Sequence, residues 1–183
     1  MHIRKNALPI VAATAITYWL LFTLNNWLFS ALEFSTGVNW VYLPSGLRLA
    51  FILIFVELGA VGIALASVAI SFGYYFEADP IVAWGSGIIS GFAPLLARMI
   101  CIEKFKLDVN LHQLTPAILL KVSLVFSVIS AVSHQLLFSW RNHSDDFISS
   151  TVVMAVGDFL GTLIVLYVAK FLVNLVPTPS KIQ

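Results

Sequence analysis

The feature that most constrains this chain is a series of apolar runs, each bounded by charges or turn residues. Six are readable, over approximately residues 7–30, 44–56, 58–75, 81–102, 116–138 and 150–176. A helix crossing a bilayer needs roughly 20 largely apolar residues. Inside lipid every backbone polar group must find a partner within the protein, which leaves helices or closed barrels. Barrel strands alternate apolar and polar residues, and these runs are continuously apolar. The fold class expected is therefore all-α: a polytopic integral membrane bundle of about six transmembrane helices, forming one transmembrane domain over residues 1–183 with no soluble domain. Composition agrees. Of 183 residues, 60% are hydrophobic and 10% charged, against about 45–50% and about 25% in soluble domains. A soluble fold of this size has too little interior to hide so much apolar surface. The net charge of +1 implies no nucleic-acid partner. The single cysteine, Cys101, excludes an internal disulfide and a cysteine-based metal site. No cofactor is expected.

Lys and Arg near span ends set orientation. Arg4 and Lys5 precede the first run, Lys104 and Lys106 lie between the fourth and fifth with Arg98 and Lys121 flanking, and Lys170 and Lys181 lie at the end. The opposite side holds Glu33, Glu77, Asp79, Asp145 and Asp146 against Arg141. This predicts both termini in the cytoplasm. The first run, with Trp19, Trp27 and two asparagines, is too long for a signal-peptide core and is read as a retained span.

The second run is the most informative. Pro44 suits the first turn of a helix, and a helix from there to Glu57 is only about 20 Å long, short of a hydrocarbon core about 30 Å thick. The run is thus predicted to start inside the membrane, short or broken at Pro44, with its N-terminus facing an outer cavity. Unpaired N–H groups there, with Arg48 one turn in, would suit a small polar or anionic ligand. Asp158 is the other costly residue, since a carboxylate in a span normally faces the interior and a partner. By helical rise it lies about 12 Å deep, and Arg48 about 16 Å, so an ion pair is expected. Ser45, Trp40 and His134 complete the candidate ligand-binding or ion-pair residues.

No catalytic or metal group is expected. His134 is the only histidine in the spans, too few for a metal, and reads as a structural group near the outer interface. Gly85-Ser86-Gly87 and Pro44-Ser45-Gly46 look superficially like serine-hydrolase motifs, but serine catalysis needs a base within hydrogen-bond reach, and nothing in the sequence places His134 beside either serine. Gly62 and Ala66, Gly87 and Gly91, and Gly157 and Gly161 read as small-residue packing faces. Pro94 should bend the fourth span.

Leu43-Pro44-Ser45-Gly46-Leu47-Arg48-Leu49-Ala50, the very short turn at Glu57-Leu58-Gly59, and Gly157-Asp158-Phe159-Leu160-Gly161 together resemble the type-one membrane-associated sensor (MASE) domain of bacterial signalling proteins. Arg48 makes the second helix similar to the membrane part of the hexose-phosphate-sensing histidine kinase. The resemblance implies a sensor of the bacterial inner membrane. Family members usually carry a kinase, cyclase or phosphodiesterase after the membrane part, and this chain carries none, so its output would come from a separate kinase, cyclase or transporter protein in trans. A substrate-binding membrane component of a small-solute transporter, recruiting its ATPase in trans, fits the same pattern of short helices.

Overall fold

The computed structural model describes residues 7–105 and 115–175. Arg4, Lys5, Lys106, Lys181 and the residues from Val176 onward, which enter the orientation argument, lie outside the described residues. The chain is an all-α bundle: α1 (Ala7–Phe29), α2 (Pro44–Phe55), α3 (Glu57–Ile70), α4 (Pro80–Phe105), α5 (Pro116–Trp140) and α6 (Phe147–Leu175). Five of these helices are long and apolar enough to cross a membrane, which makes the chain a multi-pass membrane protein. The exception is α2. Its 12 residues rise only about 18 Å, short of a hydrocarbon core about 30 Å thick.

The segment before α2 was not legible as regular structure. A hairpin of β1 (Glu33–Ser35) and β2 (Val38–Asn39) caps one end of the bundle, turning through Gly37 at φ +73°, a left-handed conformation glycine adopts without steric cost. The chain then descends from Trp40 to Leu43 beside α6. Non-helical backbone at membrane depth must be satisfied by protein, and here it is. Trp40 N–H donates to the Leu32 carbonyl (3.0 Å), Tyr42 N–H to the Gly157 carbonyl (3.1 Å), and Leu43 N–H to Asn25 Oδ1 (2.8 Å).

The helices are amphipathic in the membrane sense, with their polar residues inward. On α1 the buried residues are Thr14, Tyr18, Phe22 and Asn25, one stripe at helical spacing. On α5 the inward stripe carries Ser123, Ser127, Ser130 and His134. The small-residue faces lie where the spacing predicts. A side chain at Gly91 would meet the Ala60 carbonyl at 2.6 Å, one at Gly87 would strike Val68, and one at Gly62 would meet the Val11 carbonyl at 2.7 Å. Gly87 and Gly91 thus seat α4 on α3, and Gly62 seats α3 on α1; Ala66 is buried in the same core. Between α2 and α3, Val56 makes the reversal at φ 49°, a strained conformation for a β-branched residue. After α3, Ser71–Tyr75 widens into a π-helical turn closed by Phe76 N–H on the Ser71 carbonyl (2.7 Å).

Candidate functional site

Two sequence motifs interlock. At the start of α2, Pro44 occupies the first turn, where its missing N–H costs nothing. Ser45 Oγ lies 2.6 Å from the Tyr42 carbonyl and 2.7 Å from the Asp158 carbonyl, and Thr162 Oγ1 donates within the same cluster. Gly46 has Val165 directly above its Cα. On α6, a Cβ at Gly157 would collide with the Asn39 carbonyl and one at Gly161 with the Tyr42 carbonyl. The glycines of α6 therefore admit the non-helical backbone that leads into α2 rather than another helix, which refines the small-residue reading. Ser45 acts as a tie between α2 and α6 and is not a free ligand-binding hydroxyl.

This contact fixes Arg48 and Asp158 at the bundle centre, 2% exposed each. Arg48 Nη1 lies 3.5 Å from Asp158 Oδ2, Nη2 donates to Ser130 Oγ at 3.0 Å, and Nε donates to the Ser90 carbonyl at 3.1 Å. The guanidinium sits 5.1 Å from the Phe126 ring centre. The Ser90 contact has a cause in sequence. Pro94 has no N–H, so the carbonyl four residues earlier loses its helical donor. That carbonyl belongs to Ser90, and Arg48 fills the vacancy.

A polar chamber adjoins the pair. Its volume is about 60 Å³, measured as space open to the centre of a water-sized sphere, and it is lined by residues of α1, α3, α4, α5, α6 and the hairpin segment. Serines supply much of the lining: Ser67 from α3, Ser71 from the π-helical turn after it, Ser86 and Ser90 from α4. His134 also lines it and is buried. Its Nδ1 is 2.9 Å from the Ser130 carbonyl, which can only accept, so Nδ1 carries a proton; Nε2 lies 3.4 Å from Ser90 Oγ. The histidine thus meets Ser90 rather than the hydroxyl of Ser45 or Ser86. Trp40 does not join the site: it is 43% exposed and packs edge-on against Phe34. The predicted unpaired N-terminus of α2 is also corrected. Ser45 N–H and Gly46 N–H already donate to the Tyr42 and Leu43 carbonyls at 3.2 and 3.0 Å, because the descending chain bends back over the helix start. The serines of residues 67–71 and 86–90 were the signal that sequence reasoning passed over, since each serine alone reads as a packing residue.

The hairpin end of the bundle carries a clasp. Asp79 caps α4 through Oδ1, accepting from Ile81 and Val82 N–H. Its Oδ2 accepts from Arg141 Nε (3.1 Å) and lies 3.1 Å from His143 Nε2. His143 in turn packs on Phe76, which packs on Phe138 in the chamber wall. Burial alone would raise the Asp79 carboxyl, but hydrogen bonds from His143, the Val82 amide and Arg141, with the Arg141 charge, outweigh it and hold the group at about 2. A folded value below the unfolded one means that the contribution is present above about pH 4 and lost as pH falls through about 2. Asp79→Asn keeps a capping oxygen and removes the charge. Thermal unfolding in detergent should show a gap between wild type and Asp79→Asn that is constant above about pH 4 and closes toward about pH 2. A gap that does not change with pH would mean the clasp is not electrostatic.

Comparison with protein-family models, with curated proteins and with solved structures finds no match.

Proposed function

We propose that this chain acts as a sensor or adaptor of the bacterial inner membrane, of the MASE type, with both termini cytoplasmic. A ligand or partner acting at the chamber would change the Arg48–Asp158 arrangement, and a separate output protein would read the change. The observation that carries the reading is the chamber itself: a buried ion pair beside a polar cavity, in a bundle whose remaining described surface is largely apolar. The two motifs behind the resemblance support it further, because Pro44-Ser45-Gly46 and Gly157–Gly161 meet in one contact and jointly position that pair. The mechanical link is short. Arg48 rides on α2, whose other end abuts the strained turn at Val56, so a shift of Arg48 is carried to the opposite face. That face holds Arg98, Lys104, Lys121 and Lys170 against Glu57 and Glu103, the balance favoured on a cytoplasmic side. Any such signal requires the ligand to bind two states with different affinity.

The test is to purify the chain with its partner in mild detergent, identify the partner, and reconstitute the pair in vesicles. The sensor reading expects a kinase or cyclase whose output changes when Asp158→Asn is introduced, with no solute accumulated. A partner ATPase, with uptake that requires both proteins, would replace it with the transporter reading.

A further inference from the structure

We propose that the chamber admits and holds a small uncharged hydrogen-bonding molecule, bearing hydroxyl or amide groups, and discriminates against both anions and cations; this rests on the reading of the chamber as a ligand site.

The charges inside are already matched. Arg48 faces Asp158, and all three of its nitrogens are engaged, on Asp158, Ser130 and the Ser90 carbonyl. The lining histidine, His134, has Nδ1–H on a carbonyl and Nε2 facing the Ser90 hydroxyl, which can donate to it. An entering anion would meet Asp158 and an entering cation would meet Arg48. Either would leave one buried charge in excess, which is costly where water is excluded. The α2 N-terminus offers no compensation, because its first amides are occupied.

What the chamber lacks is hydrogen bonds. Ser67 Oγ and Ser86 Oγ are buried and have no hydrogen-bond partner, Asp158 Oδ2 has the long 3.5 Å contact with Arg48 but no hydrogen bond, and all three residues line the same cavity. Buried polar atoms are almost always satisfied, so these three call for a guest that donates to a carboxylate and exchanges hydrogen bonds with hydroxyls. Aromatic side chains of Tyr18, Tyr75 and Phe138 supply flat apolar walls. One water needs about 10–15 Å³ by the same measure, so about 60 Å³ admits a molecule of a few heavy atoms. Glu33, Glu77, Asp145 and Asp146 belong to the hairpin and the connections at that end of the bundle, and their field repels negative charge.

The experiment reads charge selectivity directly. Ser86→Cys and, separately, Ser67→Cys are made in the full chain carrying Cys101→Ser, in membrane vesicles. Each is treated with methanethiosulfonates close in size that are neutral (hydroxyethyl), cationic (aminoethyl) or anionic (carboxyethyl). Rates are divided by those with a free thiol and compared with a Thr36→Cys control on the hairpin. The expected result is a neutral reagent at least about tenfold faster than either ion, equivalent to about 1.4 kcal/mol of discrimination, at both positions. Adding Asp158→Asn should raise the anionic rate, because Arg48 is then uncompensated. Either ion reacting as fast as the neutral reagent would overturn the inference and leave the sensor reading standing. No reaction at either position, with the hairpin control labelled, would overturn both. If one thiol variant fails to fold, the other decides.

Discussion

Gly157→Ala and Gly161→Ala are each expected to destabilise the bundle by about 3 kcal/mol or more, at the upper end of the range for overpacked cores. The reason is what each new methyl meets. At Gly157 it is the Asn39 carbonyl and at Gly161 the Tyr42 carbonyl, both backbone atoms of the segment that descends into the membrane. A flexible side chain can rotate away from a methyl, but this backbone has little freedom. Tyr42 N–H is bonded to the Gly157 carbonyl and Leu43 N–H to Asn25, and moving the segment would strand those groups where no water replaces them. It would also pull Ser45 off the Asp158 carbonyl and displace Arg48. Gly73→Ala is the matched control, since nothing lies within 4 Å of a Cβ there. Thermal unfolding in detergent measures all three variants. Losses at Gly157 and Gly161 no larger than at Gly73 would contradict the close approach of strand to helix.

Much of the framework was legible because lipid imposes simple rules. Uninterrupted apolar runs gave the helices, and the proline at residue 44 gave the start of α2, which begins at that residue. Depth along two helices, counted by rise per residue, was enough to bring Arg48 and Asp158 together. The hairpin at residues 33–39 was not legible, because it is five residues of regular pairing held by contacts with distant helices rather than by local alternation. The partners of His134 were not legible for a related reason. Position along a helix reports depth, but which way a lone residue points depends on the neighbours that the bundle supplies. The role of Pro94 was half legible: a missing N–H was evident, yet the donor that replaces it comes from Arg48, 42 residues away from Ser90 in sequence. The serine lining was readable only as the serines of residues 67–71 and 86–90 taken together, since the chemistry lies in their convergence.

The Arg48–Asp158 pair is the point on which the chamber, the interlocked motifs and the proposed signal all depend. Both side chains are almost wholly buried, and removing one partner from a buried pair costs about 3–5 kcal/mol, because the other is left as an uncompensated charge. Arg48→Ala should fall at the upper end of that range. It also releases the Ser90 carbonyl that Pro94 leaves without a donor and removes the donor to Ser130. Asp158→Ala should cost less, since Ser130 and the Ser90 carbonyl still hold the guanidinium. The most direct measurement is the double-mutant cycle of Arg48→Ala and Asp158→Ala on thermal stability in detergent. The expected result is a double mutant less damaged than the sum of the two single losses, by a coupling of about 1–3 kcal/mol. Losses that simply add would contradict the pairing, and with it the account of the chamber built around it.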